Sequence, residues 1–392
     1  MSSELRVAVI GAGYAGQSHA FGYRNASMAK DLHDVSVILD TVVDANESLA
    51  KEVRGQYGFE RYSTELNDVL ENPNIDAVSL ALPNRVYATV MPTIIESKKH
   101  IFCEKPLGLN TVQAKEMADR VEKSDLINMV GFSFRRLPAL AQLATIVQEG
   151  RLGEIETFNA WYYADYAADA QQPLTWRYIM EQSGGGAIAD IGAHSIDSIR
   201  YVVGEITEVN SALLSTFIDR RPLPAKGGVG HSIAASETGE TGAVENDDVA
   251  VVNLRAGGAV GTLTLSRIAR GIPNDLGIEV HGSKGYARFT SARTDELLVY
   301  EEGVSETGMD GPRIVASGPD FPFFAETAAM PGRGVGTAYG EAFIAEIQEF
   351  VRAVTRNDQS IVMTPFREAV PTMKVIESVL KAAANGEAVK IA

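Results

Sequence analysis

Asp190, His194 and Asp197 are spaced four and then three residues apart. On an α-helix that spacing puts all three side chains on one face. A carboxylate, an imidazole and a second carboxylate in one stripe suit proton transfer to or from a hydroxyl. The plain alternative is a solvated helix face with an ion pair one turn apart, which stabilises only modestly. Lys105 follows the apolar run His100-Ile101-Phe102-Cys103 and Glu104, and Pro106 turns the chain directly after it. A lysine at the end of such a strand faces the cleft above a sheet, where it can stabilise negative charge. Gly11-Ala12-Gly13-Tyr14-Ala15-Gly16 is a G-x-G-x-x-G turn whose backbone amides can cradle phosphates.

Each group needs an element to hold it. Residues 5–10 form an apolar run that reads as a buried strand, and a helical stretch follows the glycines. That context turns a weak motif into a dinucleotide fingerprint. Residues 35–39 are the second strand, running on to Val43 and Asp44. The fingerprint requires a carboxylate near this strand end for the adenosine ribose. Asp44 is the preferred residue because the next helix starts directly after it, and Asp40 is the competitor. A carboxylate there favours NAD, with NADP as a possible substitute. Strands over residues 75–82, 100–103 and 127–132 alternate with helices over 86–97 and 111–123. Such alternation means a mostly parallel, doubly wound sheet with its ligand at the strand C-terminal ends. Gly11, Asp44, the Leu82-Pro83-Asn84 turn, Glu104 and Lys105 all fall there. With Gly13, Tyr14, Ala15 and Gly16 they are the expected cofactor-binding residues.

The chain has 392 residues, 45% of them hydrophobic and 22% charged. That is too long for one ordinary core, so two domains are expected. No run approaches the roughly 18 apolar residues of a membrane span. The first strand starts too early to leave room for a signal peptide. Cys103 is the single cysteine, so no intrachain disulfide forms and a reducing cytoplasm is the expected compartment. It reads as a packed strand-end residue, with no base arranged to activate it. A formal net charge of −16 repels phosphate backbones and anionic lipid, which argues against nucleic-acid or membrane partners.

The glycine turn, then Cys103-Glu104-Lys105-Pro106-Leu107-Gly108, then Asp190-x-Gly192-x-His194-x-x-Asp197 is a specific combination in a fixed order. It resembles the Gfo/Idh/MocA family of oxidoreductases over nearly the whole chain. The resemblance implies an α/β protein: an N-terminal Rossmann dinucleotide-binding domain (1–133) and a C-terminal α/β domain (134–392) with a large, mostly antiparallel open sheet. The last helix is expected to pack back on the first domain, and the sheet to join a homodimer or homotetramer. Lys105, Asp190 and His194 match the family's catalytic positions, and Asp197 matches one that often touches substrate hydroxyls. Tyr87 departs from the pattern, standing where many members have a histidine. The segment containing Arg135 and Arg136 resembles the family's entry into the second domain, with Arg135 taken as the arginine that reaches substrate.

Residues 154–163 form an aromatic strand leading into Asp165, and the resemblance makes Tyr163 and Asp165 substrate candidates. Trp176 and Arg177, just before Gly184-Gly185-Gly186, are expected to wall the pocket. Further strands without intervening helices, from residue 208 to residue 300, indicate an antiparallel sheet. Residues 225–242 and 330–340 are glycine-rich and read as long loops, with His231 an ordinary loop residue. Residues 337–354 and 366–384 read as closing helices.

The leading expectation is an NAD(P)-dependent dehydrogenase of a sugar, anhydrosugar or cyclitol. A metal-dependent hydrolase built on Asp190 and His194 lacks a third ligand, so no metal is expected. A dinucleotide-sensing regulator would not need both Lys105 and His194. An enzyme that keeps its NAD and oxidises a glycoside transiently to cleave it remains an alternative.

Overall fold

The computed structural model describes residues 3–225, 238–303 and 310–391. His231 and most of the first glycine-rich loop lie outside them. In the first domain β1 (Ser3–Ile10), α1 (Tyr14–Asn25), β2 (Val35–Val43), α2 (Glu47–Tyr57), β3 (Arg61–Ser63) and α3 (Asn67–Leu70) form one half. The other half is β4 (Ala77–Leu80), α4 (Asn84–Glu96), β5 (His100–Glu104), α5 (Thr111–Val121) and β6 (Asn128–Gly131). The strands are all parallel, in the order β3-β2-β1-β4-β5-β6. The topological switch point therefore lies between β1 and β4, where such sheets bind ligands. Consecutive Val7, Ala8 and Val9 are fully buried, as expected for a strand covered on both faces. The three-residue β3 carries too short a pattern to be legible in the sequence.

Helix capping is uneven in an informative way. Asn46 and Asn110 accept hydrogen bonds from the first turns of α2 and α5. Gly13, which caps α1, offers no side chain, so the first amides of α1 are left for something else.

The second domain opens with α6 (Pro138–Gln148), β7 (Ile155–Ala164), α7 (Met180–Ser183) and α8 (Ile191–Val202). Next come β8 (Ile206–Ser215), β9 (Arg220–Pro222), β10 (Thr241–Ala243), β11 (Val249–Ala256), β12 (Ala259–Ser266) and β13 (Asn274–Gly282). β14 (Gly285–Thr290), β15 (Glu296–Glu301), β16 (Arg313–Ala316), α9 (Phe324–Thr327), α10 (Tyr339–Arg356), α11 (Phe366–Asn385) and β17 (Val389–Lys390) complete the chain. Nine strands form one sheet in the order β16-β15-β14-β13-β7-β12-β11-β8-β17. Every pairing is antiparallel except that of β7 with β12. The small β9–β10 hairpin stands apart. Alternating burial along β11 puts Val252 and Leu254 in the core and exposes Val251 and Asn253 on the opposite face.

After α9 the chain returns to the first domain. Ile347, Phe350, Val351 and Val354 of α10 share one buried cluster with Val7, Val9, Tyr23, Val42 and Phe102. The Val130 amide donates to Thr364 O, and the Phe366 amide to Asn128 Oδ1. The sequence reading expected only the last helix to pack back, whereas α10 closes the α1 side of the parallel sheet. The division at residue 133 marks where the chain first crosses, and the cofactor domain's core extends beyond it.

Glu346 on α10 is fully buried, and neither carboxylate oxygen has a hydrogen-bond partner among the described residues. Burial, and then the nearby Glu104, push its carboxyl well above the ordinary 4.5, against the opposing charge of Arg136. A carboxyl raised in the fold gives its full stability below the unfolded value and loses it as pH rises above that value. The neutral isostere Glu346→Gln is therefore expected to raise the melting temperature at about pH 8 and leave it nearly unchanged at about pH 5. Thermal unfolding at the two pH values checks this; an equal gain at both would mean a packing effect.

Candidate active site

The glycine turn is built for close approach. Gly11 adopts φ +103°, and a Cβ there would sit 2.2 Å from Ala81 O. A Cβ on Gly16 would lie 1.8 Å from Gly11 O, so α1 can pack this closely only with glycine. Beside Gly13 the corresponding space is open. Open space over an uncapped helix start fits a pyrophosphate. Asp44 borders the same turn: Oδ2 accepts from the Ala12 amide at 2.8 Å and Oδ1 from Asn46 at 2.9 Å. Asp40 is instead buried and held by Arg6, Arg61 and Thr41, which removes it as a competitor. Asp44→Ala is expected to weaken NAD far more than NADP, because only NAD keeps a free 2′-hydroxyl for the carboxylate. Titration with both nucleotides checks this, and unchanged NAD affinity would rule out the clamp.

Around the switch point, Tyr14 at the start of α1 is 70% exposed and stands free beside the turn. Tyr87 is buried and accepts from the Leu82 amide, so it braces the Leu82–Pro83 turn from below. Asn84 is also buried, and its amide donates to Ser183 O. It thus ties the first domain to the segment before Gly184.

Lys105 and Asp190 meet. Lys105 Nζ lies 3.0 Å from Asp190 O and 3.3 Å from its Oδ1. Tyr166 donates to Asp190 Oδ2 at 2.8 Å, and the Arg177 guanidinium stands 3.8 Å from that oxygen, stacked on Trp176. Burial, and then Asp190's charge, push the Tyr166 hydroxyl well above its ordinary value and keep it a donor. Helix α8 begins at Ile191, so Asp190 caps it instead of lying on its face. His194, one turn later, is 7% exposed and packs edge-on against Phe134 at 4.9 Å between ring centres. Burial first, then the charge of Lys105, push its imidazole well below 6.5 against the pull of Asp190. His194 is therefore neutral at pH 7, the form a base requires.

Two expected substrate contacts, Arg135 and Asp197, are corrected. Arg135 and Asp197 form a buried two-point ion pair at 2.8 and 2.6 Å, extended by Glu368 and Arg200. Their charges satisfy each other in the packing of α8 and α11 and are not offered to a ligand. Alternation along β7 turns Tyr162, not Tyr163, towards His194, with ring centres 6.3 Å apart. At the end of β7, Tyr166 reaches Asp190.

The sequence reading also missed what holds the glycine run. Asp247 accepts from the Gly186 and Ile188 amides, both at 2.9 Å, and its backbone carbonyl accepts from Ala187. A Cβ at Gly186 would stand 2.1 Å from that carbonyl. Asn246 donates to Arg177 O, Ser183 Oγ and Gly185 O. The only sequence signal was a polar cluster, Glu245-Asn246-Asp247-Asp248, entering an apolar strand.

A dinucleotide platform whose edge bears Lys105, joined to Asp190 one turn before a buried imidazole, defines a dinucleotide-dependent oxidoreductase. Residues 5–132 match the model of the oxidoreductase family with NAD-binding Rossmann fold, and residues 140–288 match the GFO/IDH/MocA C-terminal domain. The levoglucosan dehydrogenase of Pseudarthrobacter phenanthrenivorans is 33% identical over 382 residues, covering 97% of this chain and 96% of the relative. The chain belongs to the Gfo/Idh/MocA family, and NAD is its cofactor. Myo-inositol 2-dehydrogenase of Thermotoga maritima is 28% identical over 351 residues, covering 89% and 88%. A solved levoglucosan dehydrogenase in complex with NADH and L-sorbose superposes with a TM-score of 0.90 at 32% identity, covering 100% of this chain and 99% of the other.

Proposed function

We propose that this enzyme oxidises a hydroxyl of a sugar, anhydrosugar or cyclitol in a cytoplasmic setting. The observation that carries this reading is the neutral His194 one helical turn from the Lys105–Asp190 pair, beside the cofactor platform. Bound NAD supplies the acceptor for the hydride leaving the carbinol carbon. His194 takes the hydroxyl proton. Lys105 stabilises the negative charge that develops on the oxygen. Asp190 holds Lys105 in place and is itself held by Tyr166, while Arg177 on its Trp176 platform supplies donors for further hydroxyls. The relatives named for levoglucosan and myo-inositol support a substrate with several hydroxyls.

A panel of sugars, anhydrosugars and cyclitols, followed by NADH absorbance with NAD supplied, tests the reading. Turnover of none of them would overturn it, and a released aglycone without accumulating NADH would favour the glycoside-cleaving alternative.

The same proposal includes a homodimer or homotetramer formed through the open face of the nine-stranded sheet. Leu213, Val251 and Val260 are 72%, 39% and 42% exposed on adjoining strands of that face. Apolar groups gathered in this way favour burial against a partner, here a second copy. Sedimentation at about micromolar concentration is expected to give a multiple of 42.1 kDa. A single 42.1 kDa species would count against it.

A further inference from the structure

We propose that His19 is a positioning residue that locks the phosphate-binding helix to the Glu104–Lys105 edge of the site. His19 lies on α1, one turn beyond Gly16, and is completely buried. Its Nδ1 is 2.9 Å from Ser79 Oγ on β4, which is also fully buried. Its Nε2 is 2.9 Å from Glu104 Oε1 at the end of β5. A carboxylate only accepts hydrogen bonds, so Nε2 carries the imidazole proton. In the neutral imidazole Nδ1 is then bare and accepts from the Ser79 hydroxyl. Every polar atom in the line Ser79–His19–Glu104 is satisfied by this single assignment.

The line continues towards the chemistry. The second oxygen of Glu104 accepts from the Lys105 amide at 3.2 Å. Gly131 leaves the room needed, since a Cβ there would approach Glu104 Oε1 at 3.0 Å. Phe102 and Phe343 pack against the imidazole at 4.8 and 6.3 Å between ring centres and hold its plane. One imidazole therefore joins the helix that starts at the phosphate turn to the strand end that bears Lys105.

The inference rests on the dehydrogenase reading, but its test needs only NAD. NAD binding is measured by calorimetry, with no sugar present, in the parent and in His19→Gln, His19→Asn and His19→Leu. Glutamine places a donor where Nε2 stood and can still reach Glu104, whereas asparagine reaches only towards Ser79 and leucine offers no donor. A hydrogen bond to a charged group is worth about 1.5–3 kcal/mol, so the Asn and Leu variants are expected to bind NAD about tenfold or more weakly. The Gln variant is expected to stay within about threefold of the parent. Equal affinities in Gln and Asn variants of matching thermal stability would overturn the proposal, and so would parent-like affinity in the Leu variant. If the Leu variant does not fold, the comparison of Gln with Asn decides alone. A parent that binds NAD yet turns over no sugar would instead overturn the substrate reading and leave this one standing.

Discussion

Lys105→Ala and His194→Ala are each expected to lower kcat by at least about a hundredfold while both variants stay folded and bind NAD nearly as the parent does. Both groups act on charge that develops only as hydride leaves, so the loss falls on kcat more than on KM. Lys105→Ala empties no core, whereas His194→Ala removes an imidazole packed against Phe134 and costs some stability. Lys105 is tied to Asp190, which keeps Tyr166 as a partner when the lysine is gone. The pH profile separates the two roles. His194 sits well below 6.5, so the parent's rate should be flat through neutrality and fall only in acid. Burial of the imidazole places the rise of the rate with pH on the acid side. Lys105 is one of the two causes that lower His194, so Lys105→Ala should shift the acid limb of the residual activity to higher pH. Variants that turn over substrate within a few-fold of the parent would show that α8 is structural.

Gly16→Ala is expected to weaken NAD binding by about a hundredfold or more, with the fold retained. The added carbon would lie 1.8 Å from Gly11 O, and both partners are backbone, so no side-chain rotation relieves the clash. The helix must withdraw from β1, carrying its free amides away from the phosphates. Overpacking of this kind costs about 3 kcal/mol, which corresponds to about a hundredfold. Calorimetry with circular dichroism checks this outcome. Parent-like affinity in a folded variant would mean that the turn does not hold the pyrophosphate.

The parts of this site that were legible in the sequence are those whose cause is local. The glycine turn, Asp44 at the end of β2 and Lys105 before Pro106 each depend on neighbours within a few residues. Asp197 was misread because its partner, Arg135, is distant in the chain and nothing near Asp197 announces it. That Tyr162, one step along β7 from Tyr163, is the ring nearer His194 is a matter of strand parity, which only the packing of α8 on β7 decides. Tyr166, Asn246 and Asp247 hold the site by reaching across elements, and such contacts leave no periodicity to read.

The placement of α10 bears on how this protein is made. Synthesis runs from the N-terminus, and domains generally fold as they emerge. Here the strands that carry the glycine turn and Lys105 leave the ribosome with one flank of their sheet uncovered. Val7, Val9, Val42 and Phe102 gain their neighbours Ile347, Phe350 and Val351 only after the whole of the second sheet up to β16 has been made. The nascent cofactor domain must wait, half-clad and prone to stick to other chains, until α10 arrives to close it.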